Sequence, residues 1–305
     1  MTISVQDEAP SVDSGRHQVG SSPQHLLVTV LGDYWFDRHE GLPSAALVQI
    51  LAEFGVNAVG ARAALSRLAR RGLLELSKVG RHTYYGLAPD TTTKVADGAR
   101  RVLRFGADEQ AWDGAWTLAA FSLPEQQRDL RHLLRSRLRW LGFAPLFDGV
   151  WVSPRTPLDV VSRELDELGV STATLLRGGE VGGGWPLISA FHLEDLELSY
   201  VSFLDRWTPL VQRVRTGDVG AAEALVARTE LMDVWRTFPA RDPDLPEEVL
   251  PADWPRAQAR SVFADLYDLL GPLAEIRVQQ VVRQFAPDLA PLVRHHTTTQ
   301  LLAAG

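Results

Sequence analysis

A concentration of positive charge between Ala58 and His82 could bind an anionic polymer. Six basic residues stand there against one acid, Glu75, although the 305-residue chain has a formal net charge of −7. The six are Arg62, Arg67, Arg70, Arg71, Lys78 and Arg81. Duplex DNA suits such a face, because each phosphate that a basic side chain neutralises releases a condensed counterion. The pattern therefore predicts contact with a nucleic-acid backbone.

The first four of these basic residues lie on a predicted helix. Apolar residues recur there at steps of three to four, the spacing of one helical face. They are Val59, Ala61, Leu65, Leu68 and Leu73. Asn57 is expected to cap the start of this helix and Gly72 to end it. Arg62, Ser66 and Arg70 share the opposite face, and a helix fits the major groove. The alternative is a solvated amphipathic helix whose arginines only maintain solubility.

A β-hairpin is predicted directly after this helix. Residues 73–79 and 83–87 are rich in strand-forming types and are joined by a glycine turn. Lys78, Arg81 and His82 fall at or near its tip. The hairpin would therefore extend the positive face of the helix.

Two apolar helices are predicted ahead of the basic one. Residues 25–36 form the first, and the second has apolar residues at i, i+3, i+4 and i+7 over residues 47–54. Three helices and a hairpin over residues 23–90 make a winged helix-turn-helix, whose second helix of the pair reads bases. The expected DNA contacts are Arg62, Ser66, Arg67, Arg70, Arg71, Lys78, Arg81 and His82. A winged helix that mediates only protein contacts is the alternative.

The composition is that of an ordinary globular chain with room for two or three domains, at 45% hydrophobic and 23% charged residues. It contains no cysteine, which excludes disulfides and thiolate metal sites and fits a reducing compartment. The polar first 22 residues lack the apolar core of a signal peptide, and no run is apolar enough for a membrane span. We therefore expect a cytoplasmic protein without membrane association, metal or cofactor.

A central domain of ferredoxin-like α+β type is predicted over residues 112–180. Strand-like and helical segments alternate there in the order β, α, β, α, β. They are residues 116–123, 126–141, 147–153, 158–168 and 172–176. The first of the two helices carries several arginines, which either bind an anion or form a solvated face.

The remaining segments complete a multidomain α+β chain. Residues 91–111 are expected to form a linker helix, and residues 185–283 a helical C-terminal domain. We expect a disordered tail over residues 1–22. A mobile tail is expected over residues 284–305, with its His-His pair exposed.

Six segments together resemble the PaaX family of phenylacetic-acid degradation repressors. They are LLVTVLGDYW (26–35), ARAALSRLARRGLL (61–74), GRHTYYGL (80–87), WDGAWTL (112–118), LRSRLRWLGFAPLFDGVWVSP (134–154) and VARTELMDVWRTFPARDPDLPEEVLPADWP (226–255). The last two are long and distinctive, so the resemblance is specific. It spans roughly residues 24–270.

The resemblance implies an N-terminal winged helix-turn-helix, a central ferredoxin-like domain similar to small CRISPR-associated nucleases, and a C-terminal helical domain. It also implies a homodimeric repressor on a palindromic double-stranded DNA operator. An aryl-acyl-CoA effector, typically phenylacetyl-CoA, would release that repressor. Residues of this chain that match the reading helix are Arg62, Ser66, Arg67 and Arg70, and Arg81 matches the wing.

An aryl-acyl-CoA needs aromatic walls and basic groups in one site. We expect that site at a seam between the central and C-terminal domains. Its candidate residues are Trp112, Trp116, Arg137, Arg139, Trp140, Trp235 and Arg236. The alternative is that the tryptophans are large core residues between domains.

Two other functions are compatible with these segments. A metal-dependent nuclease-like enzyme built on the central domain would need clustered carboxylates, yet Asp113 stands alone ahead of the first strand. The chain also has no G-x-S-x-G, His-Glu-x-x-His or Walker motif. A non-DNA-binding adaptor would not need the positive face, so substituting Arg62 and Arg70 in a DNA-binding assay would separate it from a repressor.

Overall fold

The computed structural model describes residues 22–36, 38–107, 111–180, 182 and 185–303. The expected disordered tail over residues 1–22 lies outside the described residues, except for Ser22. The helices are α1 (Pro23–Tyr34), α2 (Ser44–Ala52), α3 (Ala58–Arg70), α4 (Pro89–Arg104), α5 (Arg128–Trp140), α6 (Leu158–Glu167), α7 (Glu194–Arg215), α8 (Ala221–Trp235), α9 (Phe238–Arg241), α10 (Arg256–Phe285) and α11 (Thr298–Ala303). The strands are β1 (Leu42–Pro43), β2 (Leu74–Val79), β3 (His82–Leu87), β4 (Trp116–Phe121), β5 (Ala144–Phe147), β6 (Val150–Ser153) and β7 (Ala173–Gly178).

The N-terminal unit consists of α1 to α3 and a three-stranded sheet in the order β1-β3-β2. The Asn57 side chain caps α3 by accepting a hydrogen bond from the Gly60 N–H (2.8 Å). Gly72 ends the helix region with φ +70°, a conformation that a glycine adopts without strain. In the hairpin Val79 pairs with His82. The helix and hairpin predicted from the sequence are therefore both present.

The central unit is a four-stranded antiparallel sheet in the order β5-β6-β4-β7. Leu134 and Leu138 of α5 and Val161 and Leu165 of α6 are buried in the core of this unit. The segment predicted as one strand region over 147–153 is the end of a hairpin formed by β5 and β6. The unit therefore has four strands and two helices in the order β, α, β, β, α, β.

The C-terminal helices share one hydrophobic core with the N-terminal unit. That core runs from Leu27 and Leu31 of α1 to Trp235 of α8 and Phe263 of α10. The central unit has separate cores of its own. The first and last thirds of the chain are thus packed together as one body. None of the helices within the described ranges could cross a lipid bilayer.

Residues 91–111 were expected to form a linker helix. The helix is present, but the segment that contains it is not a free connection between domains. The helix is α4, and Leu103 near its end and Phe105 directly after it belong to the shared core. The Trp235 indole N–H donates to the carbonyl of Val102 (3.3 Å). The end of α4 is therefore packed against the shared core rather than suspended between domains.

The expectation of a mobile tail over residues 284–305 is wrong for the residues described, which end at 303. Ala290 and Val293 are fully buried in the shared core. The backbone N–H of His295 donates to Glu275 (2.9 Å), and that of Thr298 donates to Asp268 (2.7 Å). Because these contacts anchor the segment to α10, the histidine pair within it is partly buried rather than exposed.

Candidate nucleic-acid interface

Helix α3 presents two faces of opposite character. Ala61, Ala64, Leu65 and Leu68 are buried against the rest of the N-terminal unit. The predicted contact residues on the other face are all exposed: Arg62, Ser66, Arg67 and Arg70. Their side chains are therefore free to meet a ligand that lies along the helix.

The predicted residues of the hairpin and of the turn before it are also exposed. Arg71 follows α3 directly, and Lys78, Arg81 and His82 surround the turn between β2 and β3. Arg62 of α3 lines a depression of about 410 Å³ together with Arg81 and His82. The structure thus brings Arg62 of α3 together with Arg81 and His82 of the hairpin on one concave surface.

These basic side chains are not neutralised within the chain. Across the described residues, no ion pair joins Arg62, Arg67, Arg70, Arg81 or the Lys78 ammonium to a carboxylate. Many other arginines have such a partner, for example Arg213 with Glu223 (2.7 Å). The positive charge of this surface is therefore available to an external anion.

The sequence interpretation missed Val59. It was grouped with the buried apolar face of α3, but 77% of its surface is exposed. Helical geometry explains this position, because Ser66 lies seven residues later, which is nearly two turns at 3.6 residues per turn. Val59 therefore shares the face of Ser66 and Arg62, and the helical period alone was sufficient to place it there.

The three effector-site candidates on α5 have different surroundings. The Arg137 side chain faces Glu164 of α6 (3.8 Å), and the Arg139 guanidinium lies over the Trp151 ring (5.3 Å). Trp140 is 78% exposed at the end of α5.

Trp112 and Trp116 pack against each other. Their rings meet edge to face at 5.8 Å, and the Trp112 indole N–H donates to the carbonyls of Ala115 (3.1 Å) and Pro154 (3.0 Å). Trp116 is buried beside Phe191. Both rings belong to a small apolar cluster at the start of the central unit.

Trp235 and Arg236 do not face the central-unit candidates. The Trp235 ring is 1% exposed and stacks on Phe263 at 4.7 Å, inside the shared core. Arg236 lines a different cavity, formed with α1 and α4. No local sequence pattern could have located this cavity, because α1 and α4, which form its walls with Arg236, are about 130 to 200 residues away in sequence.

Asp113 is engaged in a structural pair. Its carboxylate accepts hydrogen bonds from the Ala115 N–H (3.0 Å) and from Arg177 (2.8 Å). The Arg177 hydrogen bond, followed by that of Ala115, lowers the pKa of Asp113. Within the described part of the chain, no group of three His, Asp or Glu side chains is arranged to hold a metal ion. No observed feature favours the nuclease alternative.

Comparisons with known proteins follow the same three-part division. The model described as PaaX-like protein matches residues 22–91, the PaaX protein central Cas2-like domain matches 109–186, and the PaaX-like protein C-terminal domain matches 191–300. The chain is also 26% identical over 277 residues to the transcriptional repressor PaaX of Escherichia coli strain K12, covering 85% of this chain and 84% of that protein.

A solved structure has a similar fold. It is an uncharacterized protein from Mycobacterium tuberculosis, with a TM-score of 0.52 and 20% identity, covering 86% of this chain and 99% of that one. At this identity the likeness concerns the fold alone. Because three consecutive models of one family match nearly the whole described chain, the protein belongs to the PaaX family.

Proposed function

We propose that this protein is a DNA-binding transcriptional regulator that acts as a repressor. The observation that carries the proposal is the concave surface on which Arg62 of α3 and Arg81 of the hairpin lie together without acidic partners. The E. coli relative is a transcriptional repressor, which supports the same function. A cytoplasmic location is part of the proposal, since the E. coli relative is a transcriptional repressor.

The N-terminal unit is assigned as a winged helix-turn-helix. Three helices followed by an antiparallel hairpin support this assignment. In such a unit α3 enters the major groove and the hairpin contacts the adjacent backbone. Arg62, Ser66 and Arg67 then approach bases, while Arg70, Arg71 and the hairpin cations meet phosphates.

The central unit is assigned as a ferredoxin-like layer. Its β-α-β-β-α-β element order and its fully antiparallel sheet support the assignment. A layer of this kind leaves two edge strands, here β5 and β7, at the sides of the sheet. The fold does not by itself imply a catalytic function.

DNA binding is tested with a double variant and a matched control. The operator is first isolated by selecting genomic fragments on the immobilised full-length protein. We expect Arg62→Ala/Arg70→Ala to weaken binding to that operator at least tenfold, since each contact contributes about 1–3 kcal/mol. Arg163→Ala, which removes an exposed arginine from α6, should bind as the parent does. Full affinity of the double variant would exclude α3 as the DNA-contacting helix and favour an adaptor.

We propose that the repressor is a homodimer on a palindromic operator. One winged helix buries only about 600–1,000 Å² on DNA, so two half-sites are needed for selective binding. Exposed Trp140 and Phe147 on the central unit support a dimer contact there, away from α3. Light scattering should give a dimer for the parent and a monomer for Trp140→Ser/Phe147→Ser. A parent protein that stays monomeric on a palindromic operator would contradict the proposal.

The proposed effector is an aryl-acyl-CoA such as phenylacetyl-CoA, which would lower the affinity for the operator. Family membership supports this class of ligand. The seam predicted from the sequence is not retained as its site, because Trp235 is buried and Trp140 is exposed elsewhere. Calorimetry with phenylacetyl-CoA, phenylacetate and CoA, followed by operator release, tests the effector directly. If none of the three compounds changes the affinity for the operator, an aryl-acyl-CoA is not the effector.

A further inference from the structure

A cavity of about 220 Å³ lies where the N-terminal unit meets the C-terminal helices. Its walls come from α1, α4 and α8, and Leu301 of α11 closes one side. Most of the surface is apolar, with Val28 from α1, Phe36 two residues after α1, Val102 from α4 and Met232 from α8. The cavity therefore sits between the element that carries the DNA-contacting helix and the body of the protein.

Arg236 supplies the available positive charge of this cavity. Its Nε lies 3.3 Å from Asp233, and no described residue forms a hydrogen bond with its two terminal nitrogens. Burial lowers the pKa of Arg236, which reflects loss of water from a charged group. An incoming carbonyl, carboxylate or phosphate oxygen would replace that water with charge-assisted hydrogen bonds.

The other polar groups of the cavity are already engaged. Thr29 donates a hydrogen bond to Asp233 (3.2 Å), and Asp33 accepts one from the Tyr267 hydroxyl (2.9 Å). A ligand would therefore find apolar walls and one cationic donor. That combination recognises an apolar group that ends in an oxygen-bearing or anionic head.

Gly98 of α4 leaves space in the wall. A Cβ atom built on Gly98 would meet nothing within 4 Å, whereas one on Gly32 across the cavity would lie 2.8 Å from Val95. A cavity of about 150 Å³ accommodates benzene. The present volume accommodates an aromatic ring with a short acyl chain, and it is too small for a nucleotide carrier as well.

We infer that this cavity binds the acyl group of the effector, with its carbonyl or carboxylate oxygen at Arg236 and any carrier outside. The identity of the acyl group rests on the proposed function, but the binding itself does not require DNA. A free aryl acid and an aryl thioester share this chemistry, so both are used as probes.

The position of the cavity explains how a bound ligand would change the affinity for DNA. Helix α1 packs against α3 in the N-terminal unit, and α4 follows β3 of the hairpin directly. A ligand held between α1, α4 and α8 favours the arrangement of these helices that accommodates it best. In a dimer, a small change in that arrangement alters the spacing of the two α3 helices.

Two substitutions of the lining test the site by calorimetry without DNA. Gly98→Leu fills the cavity and should weaken phenylacetyl-CoA binding at least tenfold, while Gly98→Ala should stay within about threefold of the parent. Arg236→Gln should weaken both phenylacetyl-CoA and phenylacetate about tenfold, the equivalent of one charge-assisted hydrogen bond. CoA alone should not bind, since the acyl group is what enters. Thermal unfolding of each variant checks that it is folded.

The outcomes separate the cavity from the proposed function. Parent-like binding by folded Gly98→Leu and Arg236→Gln would overturn the cavity assignment, as would a parent that binds neither aryl probe. Operator affinity is measured separately, without any ligand. If the protein binds a ligand but no operator, the cavity assignment stands and the repressor function is excluded. If it binds the operator but no ligand, the repressor function stands and the cavity assignment is excluded.

Discussion

Arg228 of α8 is completely buried and lies 3.4 Å from the carboxylate of Asp33 in α1. The same guanidinium donates to the carbonyls of Tyr267 (2.9 Å) and His296 (2.8 Å), and it stacks on the Tyr267 ring at 3.7 Å. One side chain thus ties together the N-terminal unit, two helices of the C-terminal body and the last segment of the chain. The ion pair lies beside the proposed effector cavity, because Asp33 also lines it.

Removing this arginine should destabilise the whole protein. Arg228→Met leaves the Asp33 carboxylate buried without its charged partner, and breaking a buried pair in this way costs about 3–5 kcal/mol. The double variant Arg228→Met/Asp33→Leu removes both charges and should recover much of that loss. Urea unfolding measures the free energies, with Arg163→Ala expected within about 0.5 kcal/mol of the parent. A single variant as stable as the parent would mean that the pair adds nothing to folding.

Asp242 should give the stability of the protein a distinctive dependence on pH. Burial raises its pKa, although hydrogen bonding by the Tyr200 hydroxyl (2.6 Å) and the charge of Arg256 act in the opposite direction. A carboxyl with a raised pKa holds its proton more tightly in the folded chain. Its contribution to the free energy of unfolding therefore falls as pH rises above the ordinary value of 3.8 towards the folded pKa.

The check compares the parent with Asp242→Asn in urea unfolding at several pH values from about 4 to about 6. The free energy of unfolding of the parent, relative to that of the variant, should decrease over this interval. A relative free energy that increases instead would show that the carboxyl pKa is lowered in the folded state.

The sequence alone predicts α3 and the hairpin because the residue patterns that define them are local. The cap at Asn57, the stop at Gly72 and the helical period place α3, and the strands observed begin within one residue of those predicted. The same period would have placed Val59 on the exposed face. Local patterning thus determines both this surface and the side chains that it presents.

The cavity at Arg236 could not be predicted in this way. Trp235 and Arg236 are neighbours in sequence, but successive helical residues point about 100° apart, so one enters the core and the other faces α1 and α4. Likewise, residues 286–297 have no helical or strand period, and Val293 is buried by the core that distant segments share. Contacts between distant segments decide these features.

Gly271 should tolerate no side chain. A Cβ there would overlap the His295 ring, whose Nδ1 is held at 2.6 Å from Glu275. Because the ring cannot retreat without breaking that contact, Gly271→Ala should cost about 1–3 kcal/mol. Gly98→Ala, also within a helix but facing open space, should instead stabilise the protein by up to about 1 kcal/mol. Equal effects of the two alanines in urea unfolding would argue against the packing of the C-terminal segment.

Arg62 and Arg81 should differ in how their loss affects DNA binding. Arg62→Ala is expected to weaken the operator complex by about 1–3 kcal/mol and to leave non-specific binding nearly unchanged. Arg81→Ala should weaken all sequences alike and flatten the slope of log K against log salt concentration by about one. Fluorescence anisotropy on operator and scrambled duplexes over a salt series measures both. Identical salt slopes for the parent and Arg81→Ala would show that Arg81 of the hairpin does not contact a phosphate.

Val59 should contact a thymine methyl group. It is exposed in the first turn of α3, and the N-terminal residues of a reading helix approach base edges, where apolar side chains meet that methyl. Replacing single dT residues of the operator by deoxyuridine should reveal one position where the parent loses about fivefold in affinity, the worth of roughly one buried methyl group. The same replacement should have no effect on Val59→Ala, while Val201→Ala, an exposed valine of α7, should respond as the parent does. A thymine effect that persists unchanged in Val59→Ala would assign the contact to another residue.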